Sequence, residues 1–170
     1  MGDVEDLGQL SLVAGEAIGQ PGQRRFRLCM LGADRAAACW MEKEQLAALG
    51  EAIEQALRDQ GFEYRPPAPD DAPTEPPFPL NPEIEFRTGR LSVGLDPDGQ
   101  MLFVTAGDAG EPDDPESVEV RGAFSYVQGH ELAEQIKEVV AAGRQPCPLC
   151  KAPMDPSGHM CVKRNGHQSH

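Results

Sequence analysis

The sequence predicts an α+β fold: mostly antiparallel sheet, two covering helices, and a small zinc-ribbon-like lobe at the C-terminal end. Three observations predict it. Short stretches alternate apolar with polar residues, as Phe26, Leu28 and Met30 do with Arg25 and Arg27. Two longer stretches repeat apolar residues at helical spacing: Leu46, Leu49, Ile53 and Leu57, then Leu132, Ile136, Val139 and Val140. Finally, Cys147-Pro148-Leu149-Cys150 is answered by His159-Met160-Cys161 across a Pro/Gly-rich interval, the ligand pattern that tetrahedral zinc takes.

In chain order, Leu10 to Ala14 reads as a strand, and Gln20-Pro21-Gly22 turns into the strand Arg25 to Met30. Gly32-Ala33-Asp34 is a turn, Ala37 to Met41 returns, and Trp40 is expected to anchor the core. From Lys43 the period becomes helical, with Glu42, Glu44, Glu51 and Glu54 on the wet side and Gly61 as the stop. Eight prolines from Pro66 to Pro82 follow, mixed with Asp70, Asp71 and Glu75. They cannot enter a sheet interior, so 62–82 is predicted as a linker or surface strap.

The second half opens with Ile84 to Arg87, and then Leu91, Val93 and Leu95 alternate with polar residues. Asp96-Pro97-Asp98-Gly99 predicts a hairpin turn, with Gly99 in the left-handed position. Met101 to Ala106 returns, Gly107 to Ser117 is an acidic loop, Val118 to Val120 is a strand, and Tyr126 to Ala142 is a helix closed by Gly143. Two β-rich halves, each ending in a helix, thus form a body over 1–143, with the zinc lobe over 144–170.

A chain of 170 residues holds one ordinary domain plus an appendage. The formal charge is −13, unevenly spread. From Arg144 onward Lys151, Lys163 and Arg164 join that arginine against Asp155 alone, a net +3, which leaves −16 on the body. So acidic a body repels nucleic acid and anionic membranes at long range. No apolar run approaches the ~18 residues of a membrane span. Met1-Gly2 fits a myristoylation motif poorly, and no signal peptide is visible. Five cysteines, three in a metal-like cluster, fit a reducing compartment, so a cytoplasmic location is expected.

Cys147, Cys150 and Cys161 are the predicted thiolate ligands, with His159 as the fourth and His167 as its alternative. His159 and Cys161 stand two apart, so on extended chain both point to one side. A redox pair of this spacing would open a helix, whereas here one ends just before it. Four protein ligands leave no open position for water, so the zinc is expected to be structural, contributing on the order of 10 kcal/mol to order in the lobe.

The stretch Gly143 to Cys150, with Asp155 to Cys161 and Arg164-Asn165-Gly166, resembles the C-terminal signature of a bacterial family catalogued only as domain of unknown function 3090. The resemblance extends to Met41 to Leu46, Glu85 to Gly89 and Val139 to Arg144, covering most of the chain from about Val13. In that family the histidine matching His159 recurs, while a tyrosine often stands where His167 does. This implies His159 as the ligand. The family has no established activity, and its genes tend to lie near ones resembling a histidine phosphatase and a kinase-like protein.

Other candidates read as structural. Cys29 and Cys39 lie on facing strands of one predicted hairpin and are taken as small sheet or core residues. His130 beside Glu131 has no nucleophile near it in sequence. Asp96 to Gly99 lacks the remaining oxygens of a calcium loop, and Glu111, Asp113 and Asp114 read as a solvated loop. Arg24, Arg25 and Arg27 form either a small anion site or the soluble trim of a sheet edge. The leading expectation is a non-enzymatic zinc-binding module or adaptor for a protein partner or small ligand. The alternatives are an enzyme with its groove between the two halves, and a nucleic-acid-binding zinc ribbon using Lys151, Lys163 and Arg164, which the acidic body argues against.

Overall fold

Among the described residues nine elements build the body: β1 (Asp3–Gln9), β2 (Leu12–Ile18), β3 (Arg25–Leu31), β4 (Ala36–Met41), α1 (Lys43–Asp59), β5 (Ile84–Asp96), β6 (Met101–Asp108), β7 (Val118–Ser125) and α2 (Tyr126–Ala142). The structure, a computed structural model, describes residues 3–20, 23–66, 68, 77–110 and 117–142. The predicted zinc lobe, Gly143, the acidic residues Glu111, Asp113 and Asp114, Pro21-Gly22, Met1-Gly2 and much of the proline run lie outside these residues.

The seven strands form one sheet in the order β1-β7-β6-β5-β4-β3-β2. It is mixed, which corrects the expectation of a mostly antiparallel sheet: β4 pairs β5, and β1 pairs β7, in parallel. Hairpins announce themselves by their turns, whereas a parallel neighbour is reached through a crossover and leaves no local mark. α1 is the crossover between β4 and β5. β1 itself was not foreseen, because its acids Glu5 and Asp6 mask a strand that buries Leu7.

Only Leu10 and Ser11 separate β1 from β2, although these strands stand at opposite ends of the sheet order. The Leu10 N–H donates to the Ala123 carbonyl of β7 at 2.7 Å, and the Ser11 N–H donates to the Leu31 carbonyl of β3 at 2.9 Å. Asp3 to Ile18 is therefore one bent run, and the sheet curls until its two ends are joined through the chain. β5 is bent in the same way. Its Ala37-to-Trp40 partners run from Ile84 to Arg87, its β6 partners begin at Thr88, and the register shifts between Thr88 and Arg90. Gly89 sits at this bend, where a Cβ would fall 2.6 Å from the Ala109 Cα.

The two halves thus share one plan: a bent strand, an antiparallel hairpin partner, a third strand, then a helix. The bent strand of each half pairs first, in parallel, with the last strand of the other half. The helices are exchanged as well, α1 packing on β5, α2 on β2, and both on each other. Leu28, Leu46, Ile53, Leu102, Phe124 and Ile136 fill the shared core at under 2 % exposure.

A matched pair of glutamines locks this exchange. In α1 the Gln45 Oε1 accepts from the Glu42 N–H at 2.8 Å, while its Nε2 donates to the Thr88 carbonyl at 3.2 Å. In α2 the Gln128 Oε1 accepts from the Ser125 N–H at 2.9 Å, while its Nε2 donates to the Leu10 carbonyl at 3.0 Å. Each side chain caps its own helix and satisfies a carbonyl at the bend of the other half's strand. At the far end of α1, Gly61 adopts φ 68°. Its N–H bonds Arg58 and that of Phe62 bonds Leu57, both at 3.0 Å, a Schellman stop at the predicted position. The β5–β6 turn differs from expectation, since Gln100, not Gly99, takes the positive φ, at 53°.

Replacing Gln128 by Glu keeps the cap acceptor but sets a carboxylate against the Leu10 carbonyl. Gln128→Glu, and likewise Gln45→Glu, is expected to lower stability by roughly 1–3 kcal/mol in urea unfolding.

Candidate functional site

Where the two halves join, β3, β4, β5 and the start of α1 surround a groove of about 700 Å³. Its geometry follows from strand alternation. Phe26, Met41 and the half-buried Phe86 lie toward the core, so the residues between them point out. Four outward residues form one row across four strands, Glu16–Arg27–Trp40–Arg87, each directly opposite the next.

This row is tied together. Arg27 pairs with Glu16, and Arg87 pairs with Glu42 at 3.3 Å. The guanidinium of Arg25 lies 4.2 Å from the centroid of the Trp40 ring and that of Arg27 5.2 Å from it, while Arg27 is also 5.2 Å from the Phe78 ring. The Trp40 Nε1–H donates to Glu85 at 2.9 Å. Phe78 belongs to the strap ahead of β5, which Glu83 fastens by accepting the Ala36 N–H at 2.7 Å.

Arg24, Arg25 and Lys43 also line the groove and make no ion pair among the described residues. The Nε of Arg24 is buried without a hydrogen-bond partner there. The N-terminus of α1 opens onto the same space, adding its unpaired N–H groups to the positive field.

The second half supplies an internal control. Its corresponding row is Gly94–Phe103–Ala123–Gln9, joined by the same sequence of pairings. Counting along the strands and from the helix starts, Arg24, Arg25, Arg27, Lys43 and Arg87 correspond to Gln100, Met101, Phe103, Tyr126 and Gln9. None of the five cations has a charged counterpart, and Trp40 corresponds to Ala123. The second half carries two arginines on this face: Arg121 occupies the position of Ala38 and stacks on Phe103 at 4.6 Å, and Arg90 lies over Gly107.

Several sequence expectations are corrected by this arrangement. Trp40 is no core anchor: it is half-exposed on the outer face, as the inward setting of Cys39 and Met41 on its own strand implied. The arginines of β3 do not trim an edge, because β3 lies between β2 and β4. Lys43 and Arg87 were missed as members of the cluster, since only the parallel β4–β5 pairing brings Arg87 beside Trp40.

Cys29 and Cys39 are both buried free thiols. Cys29 pairs with Ala38, and Cys39 with Leu28, so a one-residue offset sends them to opposite faces of the hairpin. Burial pushes both thiols up to about 12, with Glu16 adding to the shift at Cys29. His130 stacks edge-on against Tyr64 at 4.0 Å, and the Tyr64 hydroxyl donates to Glu131 at 3.1 Å, a contact that pins the chain after α1 to α2. Among the described residues no cluster of three His, Cys, Asp or Glu side chains is placed to hold a metal. Cys147, Cys150, His159, Cys161 and His167 lie outside those residues. No helix among the described residues is long and apolar enough to cross a membrane.

The fold and groove define an α+β protein made of two exchanged β-rich halves, with a cationic, tryptophan-bearing cleft at the β4–β5 joint between them. The chain belongs to the family described as "Protein of unknown function (DUF3090)", whose model matches residues 7–161. No curated protein and no solved structure matches it.

Two predictions follow from the site's thiols and strap. Cys29 and Cys39 are expected to resist alkylation in the native protein at neutral pH and to react only on unfolding, read by mass spectrometry of labelled peptides. The Ala36 N–H holds the Glu83 carboxyl below its usual range. A depressed folded pKa contributes stability above the unfolded carboxylate range, lost as pH falls through the folded value. Glu83→Gln is therefore expected to unfold more easily than wild type at pH 7, and the gap is expected to close in acid, below the ordinary carboxylate range.

Proposed function

We propose that this protein is a cytoplasmic binding module or adaptor, with the groove around Trp40 as its binding surface and a structural zinc in its C-terminal segment. The observation that carries this reading is the asymmetry between the two joints of the halves. One scaffold is built twice, yet the five clustered cations and the indole stand at the β4–β5 joint alone. The fold does not need them, because the other copy forms the same strands and the same capped helix without them.

Zinc would be held by Cys147, Cys150, His159 and Cys161, a closed set that leaves the metal no open position for chemistry. The family match supports His159 over His167, since it runs to Cys161 and takes in all four of these residues while leaving His167 beyond its end. An enzyme using the same groove is the second reading, favoured by the groove's place across the joint of the halves and by the mixture of arginines with Glu42, Glu44 and Glu85 around it.

The metal and the groove are tested separately. Metal analysis is expected to give one zinc per chain, lost in Cys147→Ser and His159→Ala and retained in His167→Ala. A tail that stays folded without metal would end the zinc reading. Native mass spectrometry of the protein from its own host is expected to show a bound species that Trp40→Ala loses. A species retained by that variant would place binding elsewhere.

A further inference from the structure

We infer that the groove takes a small ligand bearing a dianionic oxyanion group, such as a phosphate monoester or a dicarboxylate, on a flat apolar frame. This rests on the groove being the binding surface and names the chemistry it selects.

The argument begins with charge. On a chain of net charge −13, concentrating cations costs nothing for solubility, yet grouping them unpaired is unfavourable unless something neutralises them. Arg24, Arg25 and Lys43 are such a group, at a helix N-terminus, in a concave site. Arg87 lies beside them, already turned to one carboxylate, that of Glu42. It could exchange that exposed partner for a ligand oxygen at little cost. The carboxylates on the wall limit what enters. Glu44 and Glu85 offset part of the positive field, which favours a compact dianion over a polyanion such as a nucleic-acid strand.

Shape supplies the rest. Phe26, Met41 and Phe86 line the groove from the core side, and on its outer side the Trp40 indole is held in place by Arg25 on its ring and Glu85 on its Nε1–H. A braced aromatic wall with cations beside it is what a flat organic anion requires. The volume of about 700 Å³ suits a small molecule.

Trp40 is the only tryptophan, so the protein carries its own reporter. Fluorescence excited at the red edge of indole absorption would be followed during titration with phenyl phosphate, phthalate and the neutral benzyl alcohol. A sodium chloride titration of matched ionic strength is the control. A saturable change with phenyl phosphate or phthalate, absent with benzyl alcohol and with salt, is the expected result, and the stronger of the two anions distinguishes phosphate from dicarboxylate. Calorimetry reads the same binding where a variant disturbs the indole. Arg25→Ala and the conservative Lys43→Gln are each expected to weaken it roughly tenfold or more, the loss of one charge-assisted contact. Arg121→Ala, on the other half, is expected to leave it unchanged.

Three outcomes would overturn the inference: no anion response beyond salt, equal binding by the Arg25 and Lys43 variants, or equal weakening by Arg121→Ala. If the anions fail while Trp40→Ala still loses the species bound in the native host, the oxyanion assignment falls and the groove stands.

Discussion

The bends at Leu10–Ser11 and Thr88–Arg90 each turn a main-chain carbonyl away from the strand ladder, and a buried carbonyl without a donor costs about 1–3 kcal/mol. Gln128 and Gln45 meet that demand from the first turn of the helix that follows the opposite half's last strand. One side chain thereby closes a helix end and a strand bend at once. The consequence is geometric: neither half can settle its bent strand without the helix of the other, so the two halves fold as one body.

That exchange also determines where a site can form. A parallel joint between halves brings one half's last strand beside the start of the other's bent strand, and a helix begins within two residues of that last strand's end. The molecule has two such joints. Both stand beside the start of a helix, and the groove of about 700 Å³ opens at the β4–β5 joint. Side chains distinguish the two. At the β4–β5 joint five cations and an indole gather, whereas at the β7–β1 joint the corresponding positions carry uncharged residues. Such asymmetry on a repeated frame separates function from folding in a way that one copy could not.

Much of the body was legible because alternation and helical spacing are local signals. Both helices, the β3–β4 hairpin and the Gly61 stop fell where period and turn chemistry put them. The joint was not legible. Glu16, Arg27, Trp40 and Arg87 are scattered over more than seventy positions, and only sheet order makes them one row. Arg25 and Arg27 looked like edge trim because nothing local reveals that β2 lies outside them. Trp40 shows a different failure, in which a general preference of indole for the interior outweighed the alternation visible on its own strand.

The proposed metal segment and the groove are encoded in opposite ways. Thiolate spacing is a covalent and local code, readable without any fold, because tetrahedral coordination by a short chain constrains residue intervals directly. The groove is encoded only through tertiary structure, and its meaning emerges from comparing one half with the other. The cations of β3 could have been distributed singly over a surface this acidic, each beside a carboxylate of its own, at lower electrostatic cost. Arg27 is held in that way by Glu16. Arg24, Arg25 and Lys43 are not, and they share a cleft with a braced indole and the N-terminus of α1. Clustered cations without ion pairs of their own, present at one of two corresponding joints, are the feature on which the proposed anion site rests.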